Sequence, residues 1–149
     1  MTGLASDLNL AISTITRQPS PRWAAPETMN NALPPSYQSD VWSFGMTMLE
    51  VLTGKLPYYG IDRNEQVILQ ATSKGLKPKR PKMDACKGRI SDECWQLMQD
   101  CWKSVPASRP GMKEVHRRVV ELAKWWETKM LTPEQEAIMT MHRHIGITN

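Results

Sequence analysis

The sequence is short of the features that give quick answers. Its 149 residues include one phenylalanine, three cysteines and three histidines. The longest apolar stretch, Val41 to Leu52, is interrupted by Ser43, Thr47 and Glu50 and is too short to cross a bilayer. The first fifteen residues combine neither a basic start nor a continuous apolar run, so no secretory signal is expected. No Cys-x-x-Cys pair occurs among Cys86, Cys94 and Cys101. If Cys94 and Cys101 share a helix, two turns hold them about 10 Å apart, beyond disulfide reach. A reduced, intracellular and cytoplasmic setting is the expectation. No two glycines stand two apart, which excludes a Gly-x-Gly-x-x-Gly phosphate loop. His142 and His144 are too few for a metal site. Nineteen basic against fifteen acidic residues give a net charge of +4, spread along the chain. Neither nucleic acid nor a membrane is an expected partner.

What is present is enough for one core. A chain of this length can bury roughly 68–70% of its unfolded surface, and 40% apolar with 23% charged residues suits a globular domain. Eleven prolines leave three long gaps, Ser36 to Leu56, Lys82 to Val105 and Gly111 to Thr132, where helices can run unbroken. Ser39 or Asp40 can cap the first helix, on which Val41, Phe44, Met48, Leu49 and Leu52 recur at helical spacing until Gly54. Trp42, Gly45, Met46 and Val51 make its opposite face apolar as well, so it is expected to be buried nearly all round, at the centre of the domain.

Asp62 or Asn64 can cap a helix closed by Gly75. Ser91 caps a segment with Cys94, Leu97, Met98, Cys101 and Trp102 on one stripe, and Pro110 suits the first position of a helix carrying Val115, Val119, Leu122 and Trp126. Thr132-Pro133-Glu134-Gln135 has the form of a capping box ahead of a short helix. Met1 to Leu33 reads as extended loop. The fold class expected is mainly α, with no strand.

Ala25-Pro26-Glu27, then Ser39-Asp40-Val41-Trp42-Ser43-Phe44-Gly45, then Cys101-Trp102 and Arg109-Pro110 together resemble the C-terminal, larger lobe of a eukaryotic protein kinase. Gly54-Lys55-Leu56-Pro57-Tyr58 adds to the match. Arg22-Trp23 and Cys101-Trp102 point to the tyrosine-kinase-like or tyrosine-kinase branch. Ser20 stands where serine/threonine kinases of the family carry threonine and tyrosine kinases tend to carry proline, so serine/threonine specificity is the expectation. The resemblance covers about residues 5 to 127. It implies a partial kinase domain over 1–130, with an activation segment over 7–27 and a helical subdomain over 36–130, followed by a tail over 131–149.

The resemblance also implies roles for the matched residues. Glu27 pairs with Arg109, and Asp40 resembles the aspartate that holds the catalytic loop. Ala25, Pro26, Trp42 and Gly45 complete the structural set. Ser6-Asp7-Leu8-Asn9 resembles the metal-binding Asp-Phe-Gly motif with two changes, making Asp7 the candidate Mg²⁺ ligand. Asn9 tolerates the positive φ that the missing glycine would adopt, while Asp7 can equally be a plain loop carboxylate. Ser13, Thr14, Thr16 and Ser20 are candidate phosphorylation sites, with Arg17 and Arg22 close in sequence as partners for the phosphate.

Intact relatives use ATP and Mg²⁺, but the sequence holds no His-Arg-Asp base and no Val-Ala-x-Lys strand, so this chain is expected to bind neither alone and to carry no catalytic or cofactor-binding residue. Three functions follow: a piece of a kinase catalytic domain, a kinase-like module that binds a protein substrate, partner kinase or scaffold without catalysis, or a decayed product. A start just before the metal motif is where a cut through a longer domain would fall. Without the rest, apolar surface around Asp40, Trp42 and Leu8 is expected to stay uncovered and to drive self-association.

Two further signals stand apart from the match. Lys77-Pro78-Lys79-Arg80-Pro81-Lys82 reads as a basic loop between helices, with a nuclear-import patch as the other reading. Trp125-Trp126 can put one ring in the core and the other on the tail, or form an exposed contact surface.

Overall fold

A computed structural model describes residues 20–130 together with Glu134, Ala137, Ile138, Thr140 and Met141. Among them every regular element is helical. Four α-helices carry the fold: α1 Tyr37–Thr53, α2 Asn64–Lys74, α3 Asp92–Cys101 and α4 Met112–Met130. Short 3₁₀ segments lie at Pro26–Asn31, Met83–Cys86 and Pro106–Ser108. The mainly α expectation is met.

α1 is the centre. It starts earlier than Ser39 or Asp40 would allow: Ser36 is the cap, accepting from Ser39 N–H at 3.1 Å, while Ser39 Oγ accepts from Ser36 N–H at 2.8 Å. This reciprocal box satisfies two end donors, a contribution of about 1 kcal/mol. Gly54, at φ 67°, closes the helix in the left-handed conformation. Val41, Trp42, Gly45, Met46, Met48 and Leu49 are buried, but Val51 is 72% exposed, on the same side of the helix as exposed Asp40 and Thr47. Burial all round is therefore corrected to a wide buried face with an exposed strip along Tyr37, Asp40, Thr47 and Val51.

α3 packs on α1 through Cys94, Leu97, Met98 and Cys101, all without solvent exposure. Each such fully buried Leu or Met stabilises by about 1.5–3 kcal/mol. Ser91 caps α3 through Cys94 N–H at 3.1 Å, as its position predicts. α2 starts differently, with Arg63 at the cap position and no side-chain cap. α4 starts at Met112, two residues after Pro110, and covers α3 with Val115 and Leu122. Trp126 packs against the core and its indole donates to Arg89 O at 2.8 Å. Thr132, Pro133 and Gln135 lie outside the described residues, whereas Glu134, Ala137, Ile138, Thr140 and Met141 are helical.

Trp42 is 1% exposed, which overturns the uncovered apolar surface expected around it. Arg109 covers its ring, with the guanidinium 5.0 Å from the ring centroid. Asp40 is exposed, and Leu8 lies outside the described residues.

Candidate functional site

Residues 20–31 lie on the helical subdomain and are fixed to it at three points. Ser20-Pro21-Arg22-Trp23 forms a turn closed by Trp23 N–H to Ser20 O at 3.0 Å, with proline at the position its fixed φ favours. Arg22 is the first anchor. Its guanidinium is buried and donates to Pro57 O at 3.0 Å and to Ile61 O, while Nε donates to Asn64 Oδ1 at 3.0 Å. One side chain thus ties this segment to the loop between α1 and α2. Trp23 is the second: its indole donates to Glu50 Oε2 at 2.9 Å, and its carbonyl accepts from Ser43 Oγ at 2.9 Å. Glu50, the one charge of α1 beyond its first turn, is used there.

The third anchor is Glu27. Pro26 opens the 3₁₀ segment, and Thr28 Oγ1 donates to Ala25 O at 2.8 Å. Glu27 then meets Arg109 in a two-pronged pair, Nη1 to Oε1 at 2.6 Å and Nη2 to Oε2 at 2.9 Å. Arg109 also donates from Nη1 to Gln38 O and from Nε to Lys103 O, each at 2.9 Å. Its side chain has no solvent exposure and that of Glu27 is 16% exposed. The planar fork of arginine is what allows one cation to serve a carboxylate and two carbonyls at once.

Glu27, Arg109 and Trp42 are therefore brought together, while Gly45 lies deeper, against Trp102 and Cys101. Ala25 is buried. Asp40 has no side-chain hydrogen bond or ion pair among the described residues. Ser20 is exposed at the start of the described segment. Asp7, Ser13, Thr14 and Thr16 lie outside it. The anchoring roles of Arg22, Asn64 and the Gln38 and Lys103 carbonyls are additions from the structure, since backbone acceptors leave no mark on residue types and the Asn64 side chain meets Arg22 only through the fold.

Chemically the arrangement ties residues 20–31 to the helices through hydrogen bonds and one ion pair. The described residues contain no group of three His, Cys, Asp or Glu able to hold a metal ion. Burial pushes the Cys94 thiol up to about 11 and the Cys101 thiol to about 12, so both stay protonated near neutrality and neither is a nucleophile. Burial disfavours the Asp100 carboxylate, yet hydrogen bonds from Arg118, Lys103 and Gln96 outweigh this and hold its carboxyl below the usual range. The Arg118 contact, 2.8 Å long, links α3 to α4.

The protein tyrosine and serine/threonine kinase family matches residues 2–119. This chain belongs to that family. It is 34% identical over 95 residues to fibroblast growth factor receptor 1 of Pleurodeles waltl, which covers 63% of the chain and 10% of the receptor. It is 36% identical over 98 residues to tyrosine-protein kinase ABL2 of Homo sapiens and of Mus musculus, covering 64% of the chain and 7% of each relative. The chain thus spans a tenth or less of the length of these curated relatives. Kinases of the family use ATP and Mg²⁺. The sequence has no glycine loop or strand lysine for the phosphates, and Asp7 is outside the described residues. Among the described residues no helix is long and apolar enough to cross a membrane.

Proposed function

We propose that this chain is the part of a protein kinase large lobe that anchors the activation segment, and that the longer kinase it represents transfers the ATP γ-phosphate to protein serine or threonine. The two-pronged Glu27–Arg109 pair carries this reading, because it joins the end of the activation segment to the helical subdomain. Ser20, at the position discussed above, supports the serine/threonine preference. Phosphorylation at tyrosine is the second reading, favoured by the tyrosine kinases among the relatives. Coding sequence upstream of Met1 that supplies the strand lysine and His-Arg-Asp would establish the longer kinase, and assay of that protein on serine, threonine and tyrosine peptides separates the two readings.

The alternative proposal is a kinase-like module that binds a partner protein without catalysis. ATP with Mg²⁺ is expected to leave its melting temperature unchanged. A ligand present at 100 times its dissociation constant would stabilise by about 2.7 kcal/mol, or about 5 °C or more, so a shift of that size overturns the expectation. Self-association is proposed through Leu33 and Tyr37, 56% and 85% exposed ahead of Asp40. Sedimentation velocity should show a dimer that Tyr37→Ser disperses; a monomer at all concentrations excludes it.

A further inference from the structure

The basic run at 77–82, unused by the kinase reading, forms one wall of a groove. The opposite wall is the loop after α1, and the enclosed volume is about 510 Å³. The floor is apolar: Leu49 and Tyr58 are buried and Leu76 is partly buried. Burial pushes the Tyr58 phenol up, and its hydroxyl donates to Leu76 O at 3.4 Å, bracing the two walls. Leu56 is 52% exposed at the rim.

The charges around the groove are of one sign. Lys55, Lys77, Lys79 and Lys82 line it, all are exposed, and none has a carboxylate partner among the described residues. Lys55 Nζ lies 4.2 Å over the Tyr59 ring, which places that cation at the opening. Arg80 is spoken for, since it pairs with Asp92 at 2.7 Å and donates to Ile90 O at 3.3 Å. Lys77 and Arg80 each precede a proline, which disfavours helix and extends the wall. The N–H groups of Lys77, Lys79 and Arg80 have no hydrogen-bond partner among the described residues, so the wall keeps free backbone donors beside the groove.

We propose that this groove binds an extended, acidic segment of a partner protein that inserts an apolar side chain. The apolar residue covers Leu49, Tyr58 and Leu76, and flanking carboxylates meet the four lysines. A protein segment is favoured over a nucleic acid or an anionic membrane for a geometric reason. The floor demands an apolar side chain at the centre of a charged stretch, which a phosphate backbone does not offer, and a membrane surface does not reach into a groove. Binding by this chain tests the proposal whether or not the kinase reading holds.

The experiment is fluorescence anisotropy on the full chain with a labelled peptide of alternating Glu and Leu. Saturable binding is expected, weakening with added salt as surface charges are screened. The double variant Lys77→Glu/Lys79→Glu, at exposed positions, should weaken it about ten-fold or more. Leu56→Ser in the chain, or Leu→Ser throughout the peptide, should weaken it about three-fold or more by removing the apolar contact. The proposal is overturned if the peptide does not bind, or if either change leaves affinity unaltered. It is likewise overturned if a single-stranded oligonucleotide or a phosphatidylserine vesicle binds more tightly than the peptide.

Discussion

Replacing Arg109 with alanine is expected to remove about 3–5 kcal/mol of stability, the cost of leaving one partner of a buried ion pair alone. No discount for solvent applies to the arginine, whose side chain is wholly buried. The loss is also more than one pair. Glu27 would be left at 16% exposure with no cation beside it, and the Gln38 and Lys103 carbonyls would each lose a donor. The Trp42 ring would lose its cover. Against a typical total of about 5–15 kcal/mol, this removes most of the stability at the low end of that range and about a third or less at the high end. Arg109→Lys keeps the charge but offers a point cation in place of a fork, so it should fall between the parent and the alanine variant. Urea titration followed by tryptophan fluorescence reads all three. An alanine variant with the parent's midpoint would show that the pair contributes nothing to folding.

This pair was legible before any coordinates because both members sit in short motifs whose order is specific, although 82 positions separate them. The helices were legible for a simpler reason: apolar spacing between prolines leaves few alternatives. The start of α1 was not. Ser36 follows two prolines and its box partner at the third position is Ser39, not the usual glutamate or glutamine, so Ser39 and Asp40 looked like better caps than they are. Val51 misled in another way. It lies on the one strip of α1, with Asp40 and Thr47, that no other element covers among the described residues, and apolar character alone does not show which strip that is. Trp42 reversed an expectation drawn from missing parts of the domain, because Arg109, a residue of this chain, covers it. The fan of bonds from Arg22 was invisible because most of its acceptors are backbone carbonyls placed by a loop, and only the fold brings Asn64 within reach. The groove beside 77–82 needed the fold as well, since only packing brings Lys55 opposite that run.

Gly45→Ala is expected to lower stability by about 2 kcal/mol, although alanine is the better helix former by about 0.8–1 kcal/mol. The sign is decided by space. A Cβ at position 45 would lie 2.7 Å from Trp102 Nε1 and 2.9 Å from Cys101 Cβ. Neither neighbour can withdraw cheaply: they are 1% and 0% exposed, and the Trp102 ring is held edge-on to Trp95 at 5.7 Å between centroids. Overpacking of this kind costs about 1–3 kcal/mol and more where backbones must separate, and here it would push α3 away from α1. The contact atom is itself unusual, because the Trp102 indole N–H is buried without a hydrogen-bond partner. Trp102→Phe removes that donor, worth about 1–3 kcal/mol when unsatisfied, together with the atom that would clash. The two substitutions should therefore not add. In the Trp102→Phe background, Gly45→Ala is expected to cost at least about 1 kcal/mol less than in the parent, a coupling that a thermal or urea double-mutant cycle measures directly. If the costs add, or if Gly45→Ala alone raises the melting temperature, the glycine is not the spacer that lets α1 and α3 approach.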